Sequence, residues 1–121
     1  MTSAKARILV ADDDECVRGV MRAVLAASGY SIVEARDGED ALRQSLAAHF
    51  DLLLMDHNMP NMSGWEACAE IRRRKPGTKV LILSGSVHQP KTDTTEVQFL
   101  PKPYRREELA RKIEEVLSTA P

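Results

Sequence analysis

Residues 8–29 read ILVADDDECVRGVMRAVLAASG. The first four, Ile8-Leu9-Val10-Ala11, make a short unbroken apolar run, as a strand covered on both faces requires. Three acids, Asp12-Asp13-Asp14, interrupt it. Val17, Val20, Met21, Val24 and Leu25 then recur at i, i+3, i+4, i+7 and i+8, the spacing that predicts an amphipathic helix. Gly29 follows where a helix stop is expected. The period thus changes from a continuous run to a helical one across a single acidic turn, which is the signature of a strand feeding a helix.

The same unit repeats outward along the chain. Ser31-Ile32-Val33-Glu34-Ala35 reads as a second strand, and Asp37-Gly38 opens a helix carrying Ala41, Leu42 and Leu46. Leu52-Leu53-Leu54-Met55 is another continuous run. Ser63-Gly64-Trp65-Glu66 has the S-x-x-E pattern of a capping box, opening a helix that runs through Arg74 and ends at Pro76-Gly77. Val80-Leu81-Ile82-Leu83 is the fourth strand. Val97-Gln98-Phe99-Leu100, more mixed, is the fifth. Leu109, Ile113, Val116 and Leu117 share one face of a final helix. Strands alternating with helices predict an α/β fold with a parallel sheet. Strands one, three and four are wholly apolar and belong in the middle, whereas Ser31, Glu34 and Gln98 mark strands two and five as edges. The expected architecture is a flavodoxin-like (βα)5 doubly wound sheet of order 2-1-3-4-5.

One helix of that pattern is in question. Between the fourth and fifth strands, residues 85–96 carry one large apolar residue, Val87, and include Pro90 and three threonines. Such a stretch has no apolar stripe to hold it on a sheet, so the fourth helix is expected to be short or absent.

Composition narrows the function classes. The 121 residues are 43% hydrophobic and 29% charged, with a net charge of −1, which gives the chain no overall attraction to nucleic acid or to membranes. The basic run Arg72-Arg73-Arg74-Lys75 suits the C-terminal end of a helix. No apolar run approaches the roughly 20 residues of a membrane span, and the first residues lack the apolar core of a signal peptide. A cytoplasmic location is therefore expected. Cys16 and Cys68 have neither metal nor disulfide spacing and are expected as buried, reduced thiols. A single domain over residues 1–121 is expected, with an ordered core of about 6–118.

The chemistry follows from the topology. Open α/β sheets bind ligands beyond the carboxyl ends of their strands, at the switch point between the first and third strands. Asp12, Asp13 and Asp14 follow the first strand, Asp56 the third, Ser84 the fourth and Lys102 the fifth. The fold alone therefore gathers carboxylates, a hydroxyl and an ammonium into one crevice. Neighbouring carboxylates repel one another, and an all-oxygen set is relieved by a hard cation such as Mg²⁺. Asp56 is then placed to attack a phosphoryl group, with the cation, Lys102 and the Ser84 hydroxyl meeting its equatorial oxygens.

ILVADDD near the start, LLLMDHNMPNMSGWE in the middle, VLILSGS after the third helix and FLPKPY near the end, in this order, resemble bacterial response-regulator receiver domains, above all the short single-domain kind used in chemotaxis. The resemblance covers nearly the whole chain. It implies that Asp56 accepts a phosphoryl group from the phosphohistidine of a histidine kinase or phosphotransfer domain, and that protein–protein interactions with an unnamed downstream partner change in response. It implies Mg²⁺ held by Asp13, by Asp56 and by the backbone carbonyl of Asn58, with Asp12 acting through metal-bound water. Ser84 and Phe99 would be the switch residues and Lys102 the conserved-type lysine, with a cis bond between Lys102 and Pro103. Neither nucleic acid nor membrane is an expected partner. Such a domain is a signalling phosphoacceptor that catalyses only its own phosphorylation and dephosphorylation.

Two rivals use the same residue types. A haloacid-dehalogenase-type phosphatase also employs an aspartyl nucleophile, Mg²⁺, a Ser or Thr and a Lys, but it places D-x-D on its first strand, whereas here Asp56-His57-Asn58 lies after the third. A phosphorylation-independent binding module is opposed by the intact Asp13, Asp56, Ser84 and Lys102.

Overall fold

The computed structural model describes residues 6–85 and 97–118. Five strands and four helices are present among them: β1 (Arg7–Ala11), α1 (Glu15–Ala27), β2 (Ser31–Ala35), α2 (Gly38–Ala47), β3 (Leu52–Asp56), α3 (Gly64–Arg74), β4 (Val80–Ser84), β5 (Val97–Pro101) and α4 (Arg106–Ser118). The strands form one sheet in the order β2-β1-β3-β4-β5, and every neighbouring pair is parallel. Both expected edges are edges. The short or absent helix expected between β4 and β5 falls on residues 86–96, outside the described residues.

Strand alternation divides the core in two. Ile8, Val10, Leu52, Leu54, Leu81 and Leu83 face one way and pack with Met21 and Leu25 of α1 and Leu109, Ile113 and Val116 of α4. Leu9, Leu53, Met55, Val80 and Ile82 face the other way, against Ala41 of α2 and Ala67, Cys68 and Ile71 of α3. All five positions of both β3 and β4 are buried. Each large aliphatic side chain so covered contributes about 1.5–3 kcal/mol. The continuous apolar runs are therefore what a three-layer sandwich demands of its central strands.

Local chemistry sets the helix ends. Asp14 and Asp37 cap α1 and α2, accepting from backbone N–H groups of the first turn. Ser63 and Glu66 form the expected capping box at α3. At α4 the basic start is offset by Glu108, whose carboxylate accepts from the Arg105 N–H at 2.9 Å. Gly29 and Gly77 adopt φ of 96° and 91°, left-handed values that suit glycine after a helix. The Lys102-Pro103 bond is cis, as the resemblance implied. None of the described helices is long and apolar enough to cross a membrane.

Three local expectations are corrected. In α1 the buried stripe is Arg18, Met21 and Leu25, while Val17 and Val20 are 37% and 62% exposed. The helix is rotated so that a guanidinium faces inward, which is tolerable because that group is hydrogen-bonded. In α2, Ser45 is buried and Leu46 is exposed. The Ser45 hydroxyl donates to the Leu42 carbonyl at 3.0 Å, so burying it leaves no orphan donor. Cys68 is buried as expected, but Cys16 is exposed on the first turn of α1.

Candidate phosphoacceptor site

The carboxyl ends of β1, β3, β4 and β5 meet at one edge of the sheet. The register brings Ala11 opposite Met55, Asp56 opposite Leu83 and Ser84 opposite Pro101. The residues at and just after these positions therefore converge, placed by the strands themselves. Asp12, Asp13 and Asp56 each present one carboxylate oxygen, and these oxygens lie within 4.8 Å of one another. Asp12 and Asp56 are buried, whereas Asp13 is exposed. Lys102 reaches the group from just past the end of β5, with Nζ 2.5 Å from Asp56 Oδ1.

The backbone around these side chains is closely tied. The Asp12 N–H donates to the Ala35 carbonyl of β2 at 3.2 Å, and Asp12 Oδ1 accepts from the Asp14 N–H at 2.9 Å. The Lys102 N–H donates to the Ser84 carbonyl and the His57 N–H to the Leu83 carbonyl, both at 2.8 Å. The loop after Asp56 is pressed from two sides. A Cβ on Gly64 would lie 2.4 Å from the Asp56 carbonyl oxygen, and one on Gly38 would lie 2.3 Å from the Met62 carbonyl oxygen. Only glycine fits at either contact.

Electrostatics bear out the expected mutual repulsion. Burial raises the Asp12 carboxyl above the ordinary carboxylate range; the Asp14 N–H opposes this, the Asp56 charge adds to it, Lys102 opposes it and Asp13 adds again. Burial, followed by the Asp12 and Asp56 charges, also raises the Tyr104 hydroxyl. Among the described residues, three carboxylates thus face the Lys102 ammonium. An oxygen-only donor set with excess negative charge and two buried members suits a hard divalent cation.

Of the residues singled out in the sequence, Asp12, Asp13, Asp56 and Lys102 come together. Ser84 is buried at the end of β4. Asn58 is exposed in the loop after β3. Phe99 is half-buried on β5, and its ring lies 6.0 Å from that of Trp65, tilted by 32°. Met59 and Met62 pack against the α2–α3 side of the core, as loop-filling residues do. Arg18 and Trp65 were not evident as site neighbours from sequence. Arg18 lies next to the apolar positions Val17, Val20, Met21, Val24 and Leu25 of the helix rather than among them, so nothing in the spacing marks it as part of the buried stripe it joins.

The family profile of the response regulator receiver domain matches residues 8–114. The chain is 35% identical over 115 residues to response regulator MprA of Mycobacterium avium, a match covering 92% of this chain and 50% of MprA. It therefore spans about half the length of the curated relatives it matches. Response regulator TrrA of Thermotoga maritima, solved in complex with Mg²⁺ and BeF, is 31% identical with a TM-score of 0.83, over 91% of this chain and 97% of that one. The receiver domain of sensor histidine kinase PA1611 of Pseudomonas aeruginosa, solved with magnesium in its active-site cleft, is 26% identical with a TM-score of 0.83, over 96% and 100%. The sheet order, the acids gathered at its carboxyl edge and the match along residues 8–114 agree: this chain belongs to the response regulator receiver domain family.

Proposed function

We propose that this receiver domain is a Mg²⁺-dependent phosphoacceptor, with Asp56 as the acceptor and the phosphohistidine of a histidine kinase or phosphotransfer domain as the donor. The observation that carries the reading is the Asp12–Asp13–Asp56 cluster with Lys102 paired to Asp56. The TrrA and PA1611 structures, solved with Mg²⁺, support it by similarity.

The cation would be held by Asp13, Asp56 and the Asn58 backbone carbonyl, with Asp12 acting through water. When bound, Mg²⁺ offsets the negative charge of the acids and of the incoming phosphoryl group. A carboxylate oxygen of Asp56 attacks phosphorus, the P–N bond of the donor breaks, and its electron pair leaves with the imidazole nitrogen. Lys102 already lies on the nucleophile and follows the charge onto the transferred group. The Ser84 hydroxyl meets another phosphoryl oxygen. These groups act by position and charge, not by proton transfer. Phe99 and Ser84 form the switch that changes the surface offered to a downstream protein. A net charge of −1 over these 121 residues gives the receiver domain itself no footprint for nucleic acid, so a protein is the reading for the partner of this domain's own surface.

Mass spectrometry after incubation with a small acyl phosphate tests this directly. Wild type with Mg²⁺ is expected to gain one phosphoryl group. Asp56→Asn is expected to gain none, and Asp13→Asn or chelator should suppress labelling. Full labelling of Asp56→Asn overturns the assignment. Steady release of phosphate from a small ester would point instead to a phosphatase.

A further inference from the structure

We infer that Arg18 is a positioning residue for the cation site, although it touches none of the three carboxylates. The inference rests on the phosphoacceptor reading above and adds a residue of α1 to it. Arg18 is a buried arginine on the inward stripe of an otherwise apolar helix face. Its Nη1 donates to the Asp12 backbone carbonyl at 2.7 Å in a buried contact. Its Nε donates to Glu34 Oε1 of β2 at 3.2 Å. Glu34 is held in turn by Arg22, whose Nη1 lies 3.1 Å from the other carboxylate oxygen, and the Glu34 carbonyl accepts from Gln44 Nε2 at 2.9 Å.

The contact falls at the peptide that joins Asp12 to Asp13. Its carbonyl is held by Arg18, while the Asp12 N–H is held by Ala35 and the Asp12 carboxylate by the Asp14 N–H. With these anchors in place, the Asp12–Asp13 peptide has one orientation, and the exposed Asp13 carboxylate is presented to Asp12 and Asp56 before any cation arrives. A buried guanidinium is costly unless its donors are satisfied. Here two are satisfied by a site carbonyl and an edge-strand carboxylate. The planar fork of arginine spans both at once, which a lysine ammonium cannot do in the same geometry. Groups that orient metal ligands from behind typically change metal affinity by about 10–100-fold when removed.

Calorimetric titration with Mg²⁺ alone, on protein shown to be folded by circular dichroism, provides the test. Arg18→Met is expected to weaken Mg²⁺ binding by about 10-fold. Glu34→Ala, which leaves the guanidinium but removes its second anchor, should weaken it by a smaller factor in the same direction. Arg18→Lys should recover only part of the loss. With an acyl phosphate, the Arg18→Met labelling rate should return to the wild-type value at saturating Mg²⁺, because Asp56, Lys102 and Ser84 are untouched. Mg²⁺ affinities within twofold of wild type in the folded variants overturn the inference, as does labelling that stays depressed at saturating Mg²⁺. If Arg18→Met does not fold, Glu34→Ala decides by the same criterion. Absence of Mg²⁺ binding in the wild type would instead overturn the phosphoacceptor reading itself.

Discussion

Cys16 and Cys68 illustrate how far placement governs a side chain's chemistry. Burial among Ala67, Ile71 and Val80 pushes the Cys68 thiol up to about 11, against a smaller downward pull from Arg72. The folded state therefore keeps this proton more firmly than the unfolded chain does. Its contribution to stability is complete below the ordinary value of 9.0 and is lost as pH rises through about 11. Cys16 is exposed beside the acidic turn. Iodoacetamide at neutral pH is expected to modify Cys16 and to leave Cys68 untouched until the protein is denatured; peptide mapping checks both. Rapid alkylation of Cys68 in the folded protein would contradict its burial. The sequence places both thiols in helices and leads to the expectation that both are buried; only Cys68 is, because a helix turns 100° per residue and packing decides its rotation.

At the scale of elements, the loop between β3 and α3 is shaped by what presses on it. Gly64 opens α3 with a backbone that has no room for a methyl group against the Asp56 carbonyl. Gly64→Ala is expected to cost about 1–3 kcal/mol, as overpacking does, and to weaken Mg²⁺ binding, because the displaced atoms belong to Asp56, the proposed acceptor. Ser63→Ala removes only a cap, costs about 1 kcal/mol and should leave Mg²⁺ affinity near wild type. Chemical denaturation and Mg²⁺ titration of the two variants separate these effects. Helix α1 offers a second comparison. Val20→Lys, on the exposed side, is expected to change stability by no more than about 0.5 kcal/mol, whereas Met21→Ala, one residue on and buried, should cost about 2–5 kcal/mol. A pattern of apolar spacing alone would rank the two positions together. The rotation that separates them is legible only once Arg18 is seen bonded to Asp12 and Glu34.

For the whole molecule, the proposed cation site at the sheet edge would link folding to Mg²⁺. A ligand bound by the folded state alone stabilises it by about 2.7 kcal/mol at a concentration 100 times its Kd, or roughly 10 °C in melting midpoint for a chain of this size. Wild type is expected to show such a rise with Mg²⁺, reversed by chelator, and Asp13→Asn to lose most of it; scanning calorimetry reads both. Much of this architecture was legible in the sequence. Three unbroken apolar runs and two mixed ones dictate which strands lie inside and which at the edges, since only a strand covered on both faces must be apolar at every position. That order in turn dictates that Asp12, Asp56, Ser84 and Lys102 emerge at one edge, because parallel strands all end on the same side. Tertiary structure alone decided the approach of Lys102 to within 2.5 Å of Asp56, the ring contact of Trp65 with Phe99, the glycine contacts that confine the β3–α3 loop and the burial of Arg18 in place of Val20. Each depends on distances between segments remote in the chain and on how helices rotate to fill the space above the sheet. Residue spacing sets a helix's period, and packing sets which way that helix faces.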